Sequence, residues 1–345
     1  MPGAAGSESD LQPGHFTFST GWRYVQANRY FLNTAFFKQA NNTQKPFRQW
    51  HTLDVTGTYQ VNKRLNIAAT LPIAMNEASF LAPGNGSQPE FRQNIYARSV
   101  GDLLLMSRTW LLDPEQHKKQ NLLMGLGVKL PTGNFHEQAQ YANFTGLPST
   151  RSNKPVPLTI MPGDGGVDVL VELLGYRSVN FPIRRSQLFG YGNYLITPRN
   201  TTHVSSQVLT SGDPALIFNP AVLSTGANVN TTPDTYSIRG GYVFPIASKD
   251  SRYFRGIRLM AGYRFDGSPR RDLIGGSKGF RQPGYFMAFE PGMFYTYKRH
   301  LLTATCPISF VRNAQSDLAQ LHGSPDPRTT AFSPASLNLR YTYTF

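Results

Sequence analysis

The sequence predicts an all-β protein, a transmembrane antiparallel β-barrel of about twelve strands, and three observations carry that reading. Asp, Glu, Lys and Arg make up only 16% of the 345 residues, where a soluble domain carries about 25%. Aromatic residues reach 12%, with 17 Tyr and 23 Phe. Twelve segments alternate apolar and polar side chains with period two between turn residues, each about the length that a tilted membrane strand needs. There is no run of about 18 apolar residues, which excludes helical membrane spans, and mean hydropathy is −0.34. So many aromatics also exclude a disordered chain.

In chain order the predicted strands lie near residues 15–30, 48–61, 64–77, 99–112, 121–130, 165–177, 186–197, 234–246, 253–266, 284–297, 300–312 and 335–345. The fourth is apolar on both faces from Asp102 to Leu112, so its phase is the least defined. In the fifth, Leu122, Met124, Leu126, Val128 and Leu130 form an outward row, while Gly125, Gly127 and Lys129 point inward. Pro131 and Gly133 then end the strand, because proline cannot donate to the ladder and glycine permits unusual dihedrals. The last strand alternates most regularly: Leu337, Leu339, Tyr341, Tyr343 and Phe345 share one face, and Asn338, Arg340, Thr342 and Thr344 the other. An aromatic final residue in phase with that strand resembles the C-terminal signal read by the barrel-assembly machinery.

Connections alternate between short and long. Short turns fall at 61–64, 113–120, 180–185, 247–252 and 298–300, with longer loops near 31–47, 78–98, 131–164, 198–233, 267–283 and 313–334. In bacterial outer-membrane barrels the short turns are periplasmic, so both termini are expected in the periplasm. Residues 1–14 form an N-terminal extension and 15–345 the single barrel domain. The opening MPGAAGSESDLQPG has no charged start followed by an apolar stretch, so an exported protein is expected to have lost its leader already. The one cysteine, Cys306, allows neither an internal disulfide nor a cysteine-based metal cluster.

Two stretches carry a family likeness. Ser99 to Asp113 (SVGDLLLMSRTWLLD) is followed by Asn121 to Phe135 (NLLMGLGVKLPTGNF) and then by Gly163 to Arg177 (GDGGVDVLVELLGYR). A Gly-Asp opening a strand, a short turn and a strand ending Lys-Leu-Pro-Thr-Gly resemble the outer-membrane barrel family named for the meta-pathway of phenol degradation. That resemblance implies a pore-like envelope protein and does not imply an activity on phenol.

Placing the apolar phase of each strand outside turns seven basic residues inward, Arg23, Arg108, Lys129, Arg239, Arg258, Arg264 and Arg340, with six acidic ones, Asp54, Asp102, Asp168, Glu172, Asp266 and Glu290. Charges this deep must be hydrated or paired. Either they neutralise one another in a plug, or a basic wall of Arg239, Arg258 and Arg264 faces an acidic wall of Glu290, Asp168 and Glu172. Lys129 serves either as a strand end or as a ligand contact.

The formal net charge of +14 would in a soluble protein raise nucleic acid as a partner. The short turns hold much of that charge, with Lys63, Arg64, Lys118, Lys119, Arg184, Arg185, Lys249, Arg252, Lys298 and Arg299 against Asp113, Glu115 and Asp250. A basic periplasmic rim suits anionic phospholipid head groups and accounts for the charge without nucleic acid. The fifth loop carries Arg270, Arg271, Lys278 and Arg281 against Asp272, either as solvated charge or as a contact for lipopolysaccharide phosphates. The fourth contains an apolar piece, Pro214 to Leu223, which either folds into the mouth as a lid or packs on a neighbouring envelope protein.

No enzyme signature is present. The nearest His and Ser, His203 and Ser205, lie in a long polar loop, and there is no Gly-x-Ser-x-Gly elbow. The seven His include no His-x-x-x-His pair, and the spacing of Asp317, His322 and Asp326 matches no cation loop. No catalysis, cofactor or metal is expected. The sequence reading is thus an outer-membrane channel or porin for passive, substrate-selective diffusion of small molecules, in contact with outer-membrane lipids and lipopolysaccharide. The alternative is a closed barrel that anchors or scaffolds a larger envelope complex.

Overall fold

The computed structural model describes residues 12–38, 47–82, 91–142, 151–198, 201–206, 218–247, 254, 256–324 and 329–345. Twelve antiparallel strands form one wall: β1 (Phe16–Ala27), β2 (Phe47–Gln60), β3 (Leu65–Ala82), β4 (Phe91–Val100 and Leu103–Trp110), β5 (Gln120–Leu130) and β6 (Asp168–Val179). The second half comprises β7 (Ser186–Ile196), β8 (Thr235–Pro245), β9 (Ile257–Ser268), β10 (Gly284–Tyr297), β11 (His300–Thr305 and Ile308–Ala314) and β12 (Ser336–Thr344). Each strand pairs with the next, and β12 returns to β1 from Thr17 opposite Thr344 to Val25 opposite Ser336. Closure removes both sheet edges. No described helix is long and apolar enough to cross a membrane; the strands form the wall.

Alternation sorts side chains between the two faces. On β5, Met124, Leu126 and Val128 are exposed on the outer wall, while Asn121 and Leu123 are buried inside. Aromatic clusters interrupt the apolar outer wall at two heights: Phe16, Tyr343 and Phe345 near the short-turn end, and Trp22, Tyr24 and His51 higher on β1 and β2. Such girdles flank the apolar band of a membrane barrel. The start of β1 and the last residue meet at the short-turn rim, where the Phe345 N–H donates to Phe16 O (2.9 Å) and the Gln60 N–H to His15 O (2.9 Å).

The interior divides into two sides. From β4 to β10 successive strands contribute Trp110, Leu123, Leu174, Phe189, Val243, Met260 and Phe294 to a buried apolar cluster toward the short-turn end. The opposite wall, β11 through β12 and β1 to β3, presents hydroxyls, with Thr303, Thr342, Thr17, Ser19, Thr56 and Thr70 turned to the lumen. One side of the barrel is therefore filled and the other faces open space.

Four features depart from the sequence reading. The second loop was expected over 78–98, yet β3 continues to Ala82 and β4 begins at Phe91, so the wall is taller there. Residues 99–112 were expected as one unbroken strand, but β4 breaks at Gly101 and Asp102. Pro72 on β3 has no N–H for the ladder, and its carbonyl takes the Gly101 N–H at 2.8 Å. Likewise β11 breaks at Cys306 and Pro307, beside Pro291, whose carbonyl accepts the Cys306 N–H at 3.0 Å. β1 also ends early: Arg29–Leu32 pairs with Thr329–Phe332 and Ala35–Phe36 in a small sheet outside the barrel wall.

Cys306 shares the outward phase of Leu302 and Ile308, both exposed. In the membrane-reconstituted barrel a bulky, charged thiol reagent is expected to label it at least tenfold more slowly than after unfolding, read by mass shift over time.

Candidate functional site

A cavity of about 610 Å³ occupies the open side of the lumen. It starts among His15, Lys298, Arg299 and Phe345 at the short-turn rim and ends on Arg108, Glu172, Tyr191 and Arg239 half-way up the barrel. Its hydroxyl wall is internally bonded: Thr56 and Thr70 share a hydrogen bond of 2.9 Å, and Thr342 donates to Ser19 Oγ at 3.1 Å.

The belt that closes the cavity crosses β4 to β10. Arg108 Nε donates to Glu172 Oε1, and the Tyr191 hydroxyl donates to the other carboxylate oxygen at 3.3 Å. These two charges sit on β4 and β6, with Gly125 of β5 in register with both. A Cβ at Gly125 would lie 2.6 Å from Glu172 Oε1, so this glycine is what lets arginine and glutamate meet across the intervening strand. Arg239 lies over the Tyr191 ring, 5.9 Å from its centroid, and 3.9 Å from the buried Glu290. Arg264 is in register with Arg239 and takes Asp266, donating from Nε at 2.5 Å. Across the lumen Arg23 and Asp54 form a two-pronged pair of 2.7 and 3.0 Å, and Arg340 packs beside Gly21 on the same wall.

The structure therefore brings Glu172, Arg239, Arg264 and Glu290 together and leaves three sequence candidates elsewhere. Arg258 stands at the short-turn end of β9, where it donates to Arg185 O at 3.4 Å, six residues from Arg264 or roughly 20 Å of strand. Lys129 and Asp168 belong to a second cluster at the far end of β5 and β6. Separate basic and acidic walls do not form, because the carboxylates interleave with the cations.

That second cluster joins the pieces of the family-like motif. The Lys129 ammonium meets the carboxylates of Asp164 and Asp168 and lies 3.5 Å from Asp102. Asp102 in turn accepts the Gly133 N–H at 2.8 Å and the Asp164 N–H at 3.1 Å, tying both stems of the third loop to β4. Gly133 and Gly163 are in backbone contact; a Cβ on Gly163 would fall 2.6 Å from the Gly133 carbonyl carbon. Between its stems the loop turns into the barrel. Val156 and Ile160 pack on Ala78, Ile95 and Ala97, while the Trp50 indole donates to Thr159 O at 2.6 Å and Asn76 to Ile160 O at 3.0 Å. Asp164 escaped the sequence reading; its signal was the Gly-Asp-Gly-Gly run, which marks a tight backbone approach.

The other long loops pack above. Val222 of a short helix (Pro220–Thr225) and Ala227 meet Phe280 and Ala319, with Leu158 of the third loop against them. Of the apolar fourth-loop piece, 214–217 lie outside the described residues, and Phe218 and Leu223 are exposed. Two basic residues of the fifth loop are spent internally: Arg281 forks onto Asp272 at 2.9 and 2.8 Å, fully buried, and Arg270 donates to Ser316 O at 2.7 Å. Asp317 caps a short helix (Leu318–Leu321), accepting the Gln320 N–H at 2.8 Å, and burial raises its pKa. His322 closes that helix, and Asp326 lies outside the described residues. No group of three or more potential metal ligands converges among the described residues.

At the rim Lys63 pairs with Glu115 at 2.7 Å, Arg64 approaches Asp113 at 4.0 Å, and Arg185 donates to Ala247 O at 3.1 Å. Lys118, Lys119 and Arg184 are exposed, and Lys298 lies over the Tyr297 ring. Lys249, Asp250 and Arg252 lie outside the described residues.

No protein-family model and no curated protein matches the chain, so the family likeness rests on the motifs alone. Solved structures do match. An outer membrane channel from Pseudomonas putida F1 superposes with a TM-score of 0.59 over 97% of each chain at 12% identity. The β domain of the Bordetella autotransporter Brka gives 0.47 over 96% of this chain and 100% of that one at 11% identity, and a FadL homologue of Pseudomonas aeruginosa 0.44 over 99% and 94% at 10%. The likeness to the Pseudomonas putida channel is one of fold. The chain has the architecture of an outer-membrane β-barrel.

Lys129→Met would leave two buried carboxylates, Asp102 and Asp168, and the half-buried Asp164 without their cation. It is expected to cost about 3–5 kcal/mol, the usual penalty for breaking a buried pair. The loss should shrink as pH falls, because carboxylates left without their cation can then be protonated, measured by urea unfolding in lipid vesicles.

Proposed function

We propose that the chain is an outer-membrane channel through which small solutes diffuse passively, with the short-turn rim and both termini facing the periplasm. The observation that supports this best is the cavity of about 610 Å³, which runs from that rim to the Arg108–Glu172 belt between polar side chains. A barrel serving only as an anchor would be better stabilised by an apolar filling, since unfilled polar space adds nothing to packing. The third loop, held by Lys129 and turned into the barrel, is the element placed to set the constriction on the long-loop side. Lys118, Lys119 and Arg184 at the rim suit anionic phospholipid head groups, and exposed Arg271 and Lys278 of the fifth loop suit lipopolysaccharide phosphates.

A second reading, a scaffold subunit, draws support from exposed apolar side chains on the loops, Phe218 (73% exposed) and Leu273 (68%). Single-channel recording of the refolded protein in a planar bilayer separates the two. The channel reading predicts stable open steps that end when the protein is omitted. Silence from protein that still shows heat-modifiable gel migration would overturn it, and co-purifying envelope proteins would then favour the scaffold.

A further inference from the structure

The cavity's lining is charged unevenly. Arg108, Arg239, Arg340, Lys298 and Arg299 reach it, with Glu172 as the one acidic side chain among its lining residues, and Glu172 is held by Arg108 and the Tyr191 hydroxyl. Asp54, Asp266 and Glu290 are inward too, yet none of them lines the cavity: Asp54 pairs with Arg23 and Asp266 with Arg264, both away from it, and Glu290 stands beside Arg239.

Arg239 is placed differently from the other belt arginines. Its Nη1 is 3.9 Å from Glu290 Oε1, beyond hydrogen-bonding range, and Nε reaches Ser237 Oγ only at 3.4 Å. The guanidinium has five donors in a flat fork that matches a carboxylate. It lies at the inner end of the cavity, over the Tyr191 ring. Beside it the lining turns apolar: Leu123 and Leu174, at the edge of the buried cluster, and Leu301 packed against that cluster border the same space. Lys298 and Arg299 flank the entrance, where positive charge raises the arrival rate of anions.

We infer that this cavity is a binding site for a small organic carboxylate, its anionic head on the Arg239 guanidinium and its apolar body along Leu123, Leu174 and Leu301. A volume near 610 Å³ lies in the range of small-molecule sites, about 300–1,000 Å³. The inference deepens the channel reading by naming a solute class. It depends on that reading only for how the solute arrives.

The test is isothermal titration of nanodisc-embedded protein with hexanoate, hexanamide and acetate, against empty nanodiscs. Hexanoate is expected to bind at least tenfold more tightly than hexanamide, which lacks the charge, and than acetate, which lacks the body. Arg239→Gln should lose at least tenfold for hexanoate, while Lys38→Gln on an exposed loop should not change it. Equal binding of hexanoate and hexanamide by the unmutated protein would overturn the inference, with no need of a variant. So would a folded Arg239→Gln barrel that binds hexanoate unchanged. Planar-bilayer recording keeps the two readings apart: conduction without hexanoate binding sinks this site and keeps the channel, whereas binding with no conduction keeps the site and sinks the channel.

Discussion

The seam between β1 and β12 is the constraint on which the other features rest. A strand wall in hydrocarbon cannot leave N–H and C=O groups unpaired, since each would cost several kcal/mol. The pairing from Thr17–Thr344 to Val25–Ser336 removes the last two edges. Once the wall closes, every strand must keep one phase from rim to rim, because a one-residue slip would turn its charges into the bilayer. Closure thus decides that Arg23, Glu172, Arg239, Arg264, Glu290 and Arg340 all share a lumen. Even the breaks respect it: Pro72 and Pro291 each hand a carbonyl to the neighbouring strand where their own donor is missing.

Inside that lumen the chain solves two electrostatic problems differently. At mid-height, carboxylates alternate with arginines along the belt, and Gly125 is small enough to let Arg108 and Glu172 join over β5. At the long-loop end, one lysine is shared by three aspartates, and Asp102 uses its remaining capacity on the backbone of both third-loop stems. The first arrangement leaves arginines facing open space. The second converts charge into loop position. Both follow from the expense of burying a charge without a partner.

Much of this was legible in the sequence. The alternation of Leu337 to Phe345 and of Leu122 to Leu130 gave the phase of two strands, and turn lengths gave the hairpin order, because both signals are local. The interruption of β4 was not legible, since it depends on Pro72 some thirty residues away, whereas that of β11 had a local signal in Pro307, which cannot donate to the ladder. The inward charges could be enumerated but not partnered. Arg258 shares its face with Arg264 yet sits at the rim, and Asp168 shares its face with Glu172 yet is drawn to Lys129. Register between strands sets those pairings, and periodicity within one strand carries no information about it.

Counting inward residues suggests a nearly neutral lumen, yet of those residues Arg108, Arg239 and Arg340 line the open space against Glu172 alone among the carboxylates. The sign of the reversal potential under a potassium chloride gradient tests this distribution. A channel lined in this way gives a potential shifted toward the chloride equilibrium value, an anion-preferring lumen. A shift toward the potassium value would mean that the carboxylates, not Arg239 and its neighbours, face the conducting space, and would contradict it.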